Sequence, residues 1–199
     1  MTLRSLILAG GVLLASVSPL AAQQVQQTTQ ERLFVPALSN WTTVQADHQG
    51  NTEITELVPQ GQSQKDWHEM LTVELITGQV NGTPEDIVKA QSEQIKKSCE
   101  SVGGGQIISG AQNGYETSMR AVGCSKSKQY GTGEMSLLKV IRGKDRLYVI
   151  IRVWRGEPFE LDHMPLNEAT TKDWFAFMQN VMVCVPMDRA HPCPDKVVK

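Results

Sequence analysis

The chain reads as an α+β protein: an antiparallel sheet of about six or seven strands with two amphipathic helices packed on it. Three observations predict this. Runs of β-prone residues are joined by hairpin turns, which make neighbouring strands antiparallel. Two segments, opening near Thr83 and Asn167, carry helix starts and a single apolar face. The order is strands, helix, four strands in two hairpins, helix, so each helix needs a sheet face to bury against.

The elements follow from the N-terminus. Residues 1–22 read as a cleavable signal peptide: Arg4, an apolar run from Leu6 to Val17, then Leu20-Ala21-Ala22 as the cleavage site. The run is shorter than the roughly 20 apolar residues that cross a bilayer, so no stable membrane insertion is expected after cleavage. Residues 23–34 are rich in Gln and Thr and read as a disordered lead-in. A single α+β domain is expected over 35–186 and a tail over 187–199. Trp41–Gln45 and Thr52–Val58 flank a turn at Gln49-Gly50-Asn51. Trp67–Ile76 alternates, with Trp67, Glu69, Leu71, Val73 and Leu75 on one face.

Thr83-Pro84-Glu85-Asp86 starts the first helix, with Thr as the N-cap, Pro at the first helical position and acids in the first turn. It runs to about Glu100, with Val88, Ile95 and Cys99 on its core face. Gly103-Gly104-Gly105 ends it. Gln106–Gln112 and Tyr115–Cys124 form a hairpin around Asn113-Gly114, the two-residue turn most specific for hairpins. Gly133–Ile141 and Arg146–Trp154 form a second one. Leu147-Tyr148-Val149-Ile150-Ile151 is the most β-prone run and reads as the central strand. The second helix is expected from Asn167 to Val185, stopped by Pro186.

Composition narrows the function. The chain has 199 residues and a net charge of −2, one unit more negative once Arg4 leaves with the leader. Such a domain has no electrostatic footprint for nucleic acid. An even count of four cysteines in an exported chain reads as disulfides. Three pairings are possible. Cys99–Cys124 and Cys184–Cys193 are expected, because each closes a short local loop. A zinc site using cysteines with His191 is disfavoured by the ligand spacing and by an oxidising compartment. The expected location is periplasmic or secreted.

The element order over about 35–186 resembles the PsbP/Mog1-like class of small α+β domains. The resemblance is also carried by Pro59-Gln60-Gly61-Gln62-Ser63 leading to Trp67, and by the run from Gly133 to Trp154. Gly133-Glu134 and Arg152-Val153-Trp154-Arg155 are similar to stretches of bacterial secreted proteins. The class implies scaffold, adaptor or binding roles and transfers no catalytic residue.

No catalytic, cofactor or metal motif is present, so no cofactor is expected. His68 lies between Trp67 and Glu69 on a strand and points away from both. His163 is flanked by Glu160 and Asp162, but a solvated loop histidine is the simpler account; His191 reads as a surface residue. Arg152, Trp154, Arg155 and Tyr148 make a candidate interaction surface, since Arg and aromatics are favoured at interfaces. The competing account puts Trp154 and Tyr148 in the core, with Arg152 snorkelling at the sheet edge. The function expected is a non-enzymatic exported domain that binds a protein partner of the envelope. One alternative is a small-molecule or lipid binder with a groove lined by Trp67, Trp154, Trp174 and Met178. The other is a hydrolase using His163. The disulfide reading predicts that denatured, unreduced mature protein takes up no alkylating agent in an intact-mass measurement; an adduct on any cysteine would contradict it.

Overall fold

Hairpins build the sheet, and the helices close its two faces. The computed structural model describes residues 30–78 and 81–194, so the signal peptide expected over 1–22 and most of the lead-in expected over 23–34 lie outside the described residues. The elements are β1 (Arg32–Phe34), β2 (Trp41–Gln49), β3 (Thr52–Pro59), β4 (Glu69–Thr77), α1 (Pro84–Ser98), β5 (Val102–Gly104), β6 (Ile108–Gln112), β7 (Tyr115–Cys124), β8 (Gly133–Arg142), β9 (Arg146–Gly156), α2 (Glu168–Asn180) and β10 (Met182–Cys184). The main sheet has 8 strands in the order β2-β3-β4-β9-β8-β7-β5, with β6 also on β7, and every pairing is antiparallel. β9 lies at its centre, where the apolar run 147–151 placed it.

The sheet is larger than the expected six or seven strands. The extra strand is β5: residues 102–104, read as a helix exit, instead pair Val102, Gly103 and Gly104 with Cys124, Gly123 and Val122. Glycine permits this close pairing, since a Cβ on Gly104 would lie 3.3 Å from Val122 Cα. A separate two-stranded ribbon joins β1 to β10. It corrects two boundaries. The lead-in expected over 23–34 is ordered from Arg32. The second helix, expected to Val185, stops at Asn180 and continues as a strand.

Strand alternation sorts the core onto two faces. On one face Leu71, Val73, Leu137, Ile141, Tyr148 and Ile150 pack against Trp174 and Met178 of α2. On the other, Val140, Leu147 and Val149 pack against Val88 of α1. Val88 is fully buried, a contribution of roughly 1.5–3 kcal/mol. Thr83 caps α1 as expected, its hydroxyl accepting from the Asp86 N–H while the Asp86 carboxylate accepts from the Thr83 N–H. Both expected disulfides are present. Cys99–Cys124 fastens the C-cap of α1 to the end of β7, and Cys184–Cys193 ties the tail to β10. Trp67 precedes β4 and so escapes its alternation; it packs with Val58 and Met70 on the α1 side of the sheet, not with Leu71.

The end of α2 is set by a buried cation. Lys139 is 3% exposed on β8, and its ammonium donates to the carbonyls of Met178 and Val181 and to Gln112 Oε1, each at 2.6 Å. Three donors meet three acceptors, so the ammonium is satisfied without a carboxylate. Burial alone pulls its pKa from 10.5 to about 8. Lys139→Met should therefore cost about 2–3 kcal/mol by leaving the two carbonyls without donors, measured by urea unfolding at pH 7. Between pH 8 and 10.5 the unfolded lysine binds a proton that the folded one releases. Wild type must then gain stability relative to the variant as pH rises through that window.

Candidate functional site

A strap of chain from Glu31 to Trp41 crosses the α2 side of the sheet and encloses a cavity of about 580 Å³. Its roof is Leu33, Val35, Pro36, Ala37 and Leu38 on the strap, ending at Trp41. Its floor is Thr55 and Leu57 on β3, Leu71, Val73 and Leu75 on β4, and Tyr148 on β9. These floor residues share one face because strand side chains alternate: Thr55 stands opposite Val73, Leu57 opposite Leu71, and Leu75 opposite Tyr148. The strap is held at one end by β1, which pairs with β10, and at the other by the entry into β2. A mostly apolar concavity of this size with a few polar groups at one end has the form of a small-molecule site.

The polar groups lie at the mouth. Gln30, Glu31 and Arg146 line both this cavity and a larger polar basin of about 1150 Å³ that also carries Tyr115, Arg142, Lys144, Asp188 and His191. The Glu31 carboxylate accepts from the Lys144 backbone N–H at 2.9 Å and from the Tyr148 hydroxyl at 3.1 Å. Burial first, and then the Glu31 charge, raise the Tyr148 phenol well above its usual range. Tyr115 is raised by the same two causes in the same order, and its hydroxyl also bonds Glu31. Gly143 leaves the room for this contact: a Cβ there would overlap the Glu31 carboxylate and come within 2.9 Å of the Tyr148 ring.

The four residues expected to form one interaction surface are divided by the sheet. Tyr148 is 1% exposed, in the core. Arg152 is also interior, although it stands on the central strand and not at an edge. Its guanidinium sits 4.7 Å from the Trp174 ring centroid, 5.3 Å from Phe177 and 5.6 Å from Trp41, and it bonds Glu69 at 3.0 Å. Trp154 points to the same side and meets Phe159 edge to face. Arg155 is on the opposite face, paired with Glu134 at 3.1 Å and stacked 3.8 Å above Trp67, with Tyr130 at 5.0 Å.

The groove expected from Trp67, Trp154, Trp174 and Met178 does not form. Trp67 is on the other face, and Trp174 and Met178 are buried under α2. His163 is 84% exposed with Asp162 at 2.9 Å, and no third metal-ligating group joins them among the described residues. His191 corrects its reading as a surface residue: it packs 4.9 Å from the Tyr115 ring and lies 2.8 Å from the Asn113 carbonyl, over the hairpin turn. Sequence reasoning missed Glu31 and the strap. Their signal was the apolar spacing Leu33, Val35, Leu38 that follows the polar run.

No protein-family model matches the chain, and no curated protein matches it. Among solved structures it is similar to a single-residue mutant of the protein Mog1, with a TM-score of 0.42 and 10% identity over 74% of this chain and 84% of that one. It is also similar to the Saccharomyces cerevisiae Ran-binding protein Mog1p, with a TM-score of 0.44 and 12% identity over 76% of this chain and 92% of that one. What the chain's own geometry defines is an α+β sheet domain with a strapped apolar pocket.

Packing at Gly143 can be tested directly. Gly143→Ala should lower stability by about 1–3 kcal/mol in urea unfolding, because the added methyl overlaps the Glu31 carboxylate. Part of the loss should return in the Gly143→Ala, Glu31→Ala double variant, where that overlap is gone.

Proposed function

We propose that this is an exported, non-enzymatic binding protein that carries a small molecule with an apolar body in the strapped pocket. The observation that carries the reading is the pocket itself: about 580 Å³, walled mostly by apolar side chains such as Leu33, Val35, Leu57, Leu71, Val73 and Leu75, with Gln30, Glu31 and Arg146 at the mouth. Export is supported by the leader features of residues 1–22 and by two disulfides, which persist in oxidising compartments.

A second reading, an envelope protein partner, has its own observation. Tyr130 is 60% exposed beside the Arg155–Trp67 stack, and aromatics with Arg are enriched at interface centres. Cross-linking in the periplasmic fraction, with wild type against Arg155→Ala, separates this surface from the pocket. Loss of one specific neighbour in the variant supports it, and recovery of the monomer alone from wild type counts against it.

The pocket predicts saturable binding of a neutral apolar fluorophore, N-phenyl-1-naphthylamine, to the folded mature protein. Thr55→Phe adds a ring on a strand position that tolerates aromatics, fills the floor and should abolish the signal with the fold intact. Absence of saturable binding by wild type would overturn the pocket reading. Intact mass of the extracytoplasmic protein should correspond to a chain starting at Gln23.

A further inference from the structure

We propose that the mouth of the pocket is a carboxylate site, that its ligand is a small molecule bearing a carboxylate on an apolar chain, and that Glu31 occupies the site in the ligand's absence. The inference rests on the pocket reading above and adds the chemistry of the head group.

The donors at the mouth belong to the sheet, while the acceptor belongs to the strap. The Tyr148 hydroxyl is fixed by a ring buried in β9, and the Lys144 N–H by the tight turn between β8 and β9, where the Gly143 N–H donates to the Arg146 carbonyl at 2.8 Å. Tyr115 is set by the Asn113-Gly114 turn, whose residues both take positive φ. These hydroxyl and N–H donors therefore keep their positions whether or not Glu31 is seated. What they hold is an acceptor-only group with two oxygens. Phenol and amide donors bond a carboxylate more strongly than a neutral acceptor.

The surrounding basin is mixed in charge, with Arg142, Lys144 and Arg146 against Asp145 and Asp188. Among the described residues Arg146, on the rim of both cavities, makes no ion pair. Lys144 lines the same basin. An anionic head seated at the cradle meets both cations, and its apolar chain continues over Leu71, Val73 and Leu75. Glu31 then moves outward into the polar basin that it already lines. Because the chain's own carboxylate competes for the donors, wild type presents the open cradle only fractionally, and its apparent affinity is lowered by that fraction.

Displacement of N-phenyl-1-naphthylamine by dodecanoate and by dodecan-1-ol tests this. Wild type should bind the carboxylate more tightly than the alcohol. Glu31→Ala should tighten dodecanoate about tenfold, while dodecanol stays within about twofold. Glu31→Gln keeps an amide oxygen to hold the strap down and should tighten dodecanoate by a smaller factor, which covers the case in which Glu31→Ala loosens the strap. Tyr148→Phe removes one donor and should weaken dodecanoate selectively. Equal affinity for the two heads, or dodecanoate binding unchanged in both Glu31 variants, overturns the carboxylate site while leaving the pocket. Failure of the neutral fluorophore to bind wild type overturns the pocket, and this inference with it.

Discussion

The Lys139 ammonium is buried in the middle of β8, and α2 can end only where its last carbonyls reach it. Met178 and Val181 supply them, so the helix stops at Asn180 and the chain leaves as β10. β10 presents an edge that β1 takes up, with Leu33 opposite Val183. That pairing draws the strap across the sheet and roofs the pocket. Asn113 adds a second anchor, its amide donating to the Val183 and Pro192 carbonyls, while Cys184–Cys193 holds the tail beside it. The cavity is thus the consequence of a helix end fixed by one cation. A leucine at position 139 would pack the same face but would leave those carbonyls to find water in a dry core.

A second cation lies on the same face, solved differently. Arg152 keeps one carboxylate, Glu69, and three aromatic rings from two distant segments. Its Nε and the Trp174 Nε1 have no hydrogen-bond partner among the described residues. The site is therefore incompletely satisfied, and such burial adds less to stability than to specificity of arrangement. It joins the start of β2, the body of α2 and the central strand, which are the elements that bound the strap. On the opposite face Arg155 repeats the device with Glu134 and the Trp67 ring, and Cys99–Cys124 fastens α1 to β7.

Much of this was legible where the signal is local. Thr83-Pro84 and Asn113-Gly114 act over two to four residues through backbone preferences, and both appear where the sequence places them. The disulfides were legible for the same reason, since the pairing that closes short loops is the one that forms. The ribbon was not. β1 and β10 are three residues each, too short for any period to register, and their pairing joins residues about 150 positions apart. Trp67 misled because alternation was carried two residues past the true start of β4. Arg152 and Tyr148 fitted a surface and a core reading alike, because nothing local to β9 announces that Trp41, Trp174 and Glu31 converge on it. Lys139 gave a signal that charge counting hides: a single lysine at the inward position between Leu137 and Ile141.

The acidic balance of the chain does not oppose an anionic ligand at the mouth. Exposed charges further away than about 8–10 Å are screened at physiological ionic strength, so the net charge of −2 acts on encounter more than on the bound state. The field at the cradle is set by the groups nearest it: Lys144, Arg146 and the Tyr115 and Tyr148 hydroxyl dipoles, opposed by Asp145 and Asp188 of the same basin. On the α1 side, away from the pocket, burial first and then the neighbouring Glu56 raise the Glu74 carboxyl. That group stabilises the fold only when protonated and costs it as pH rises through its raised pKa. Charges are paired on both faces, Arg152 with Glu69 on the α2 side and Arg155 with Glu134 on the α1 side. Glu31 sits at the mouth because the donors there take an acceptor whenever no ligand provides one.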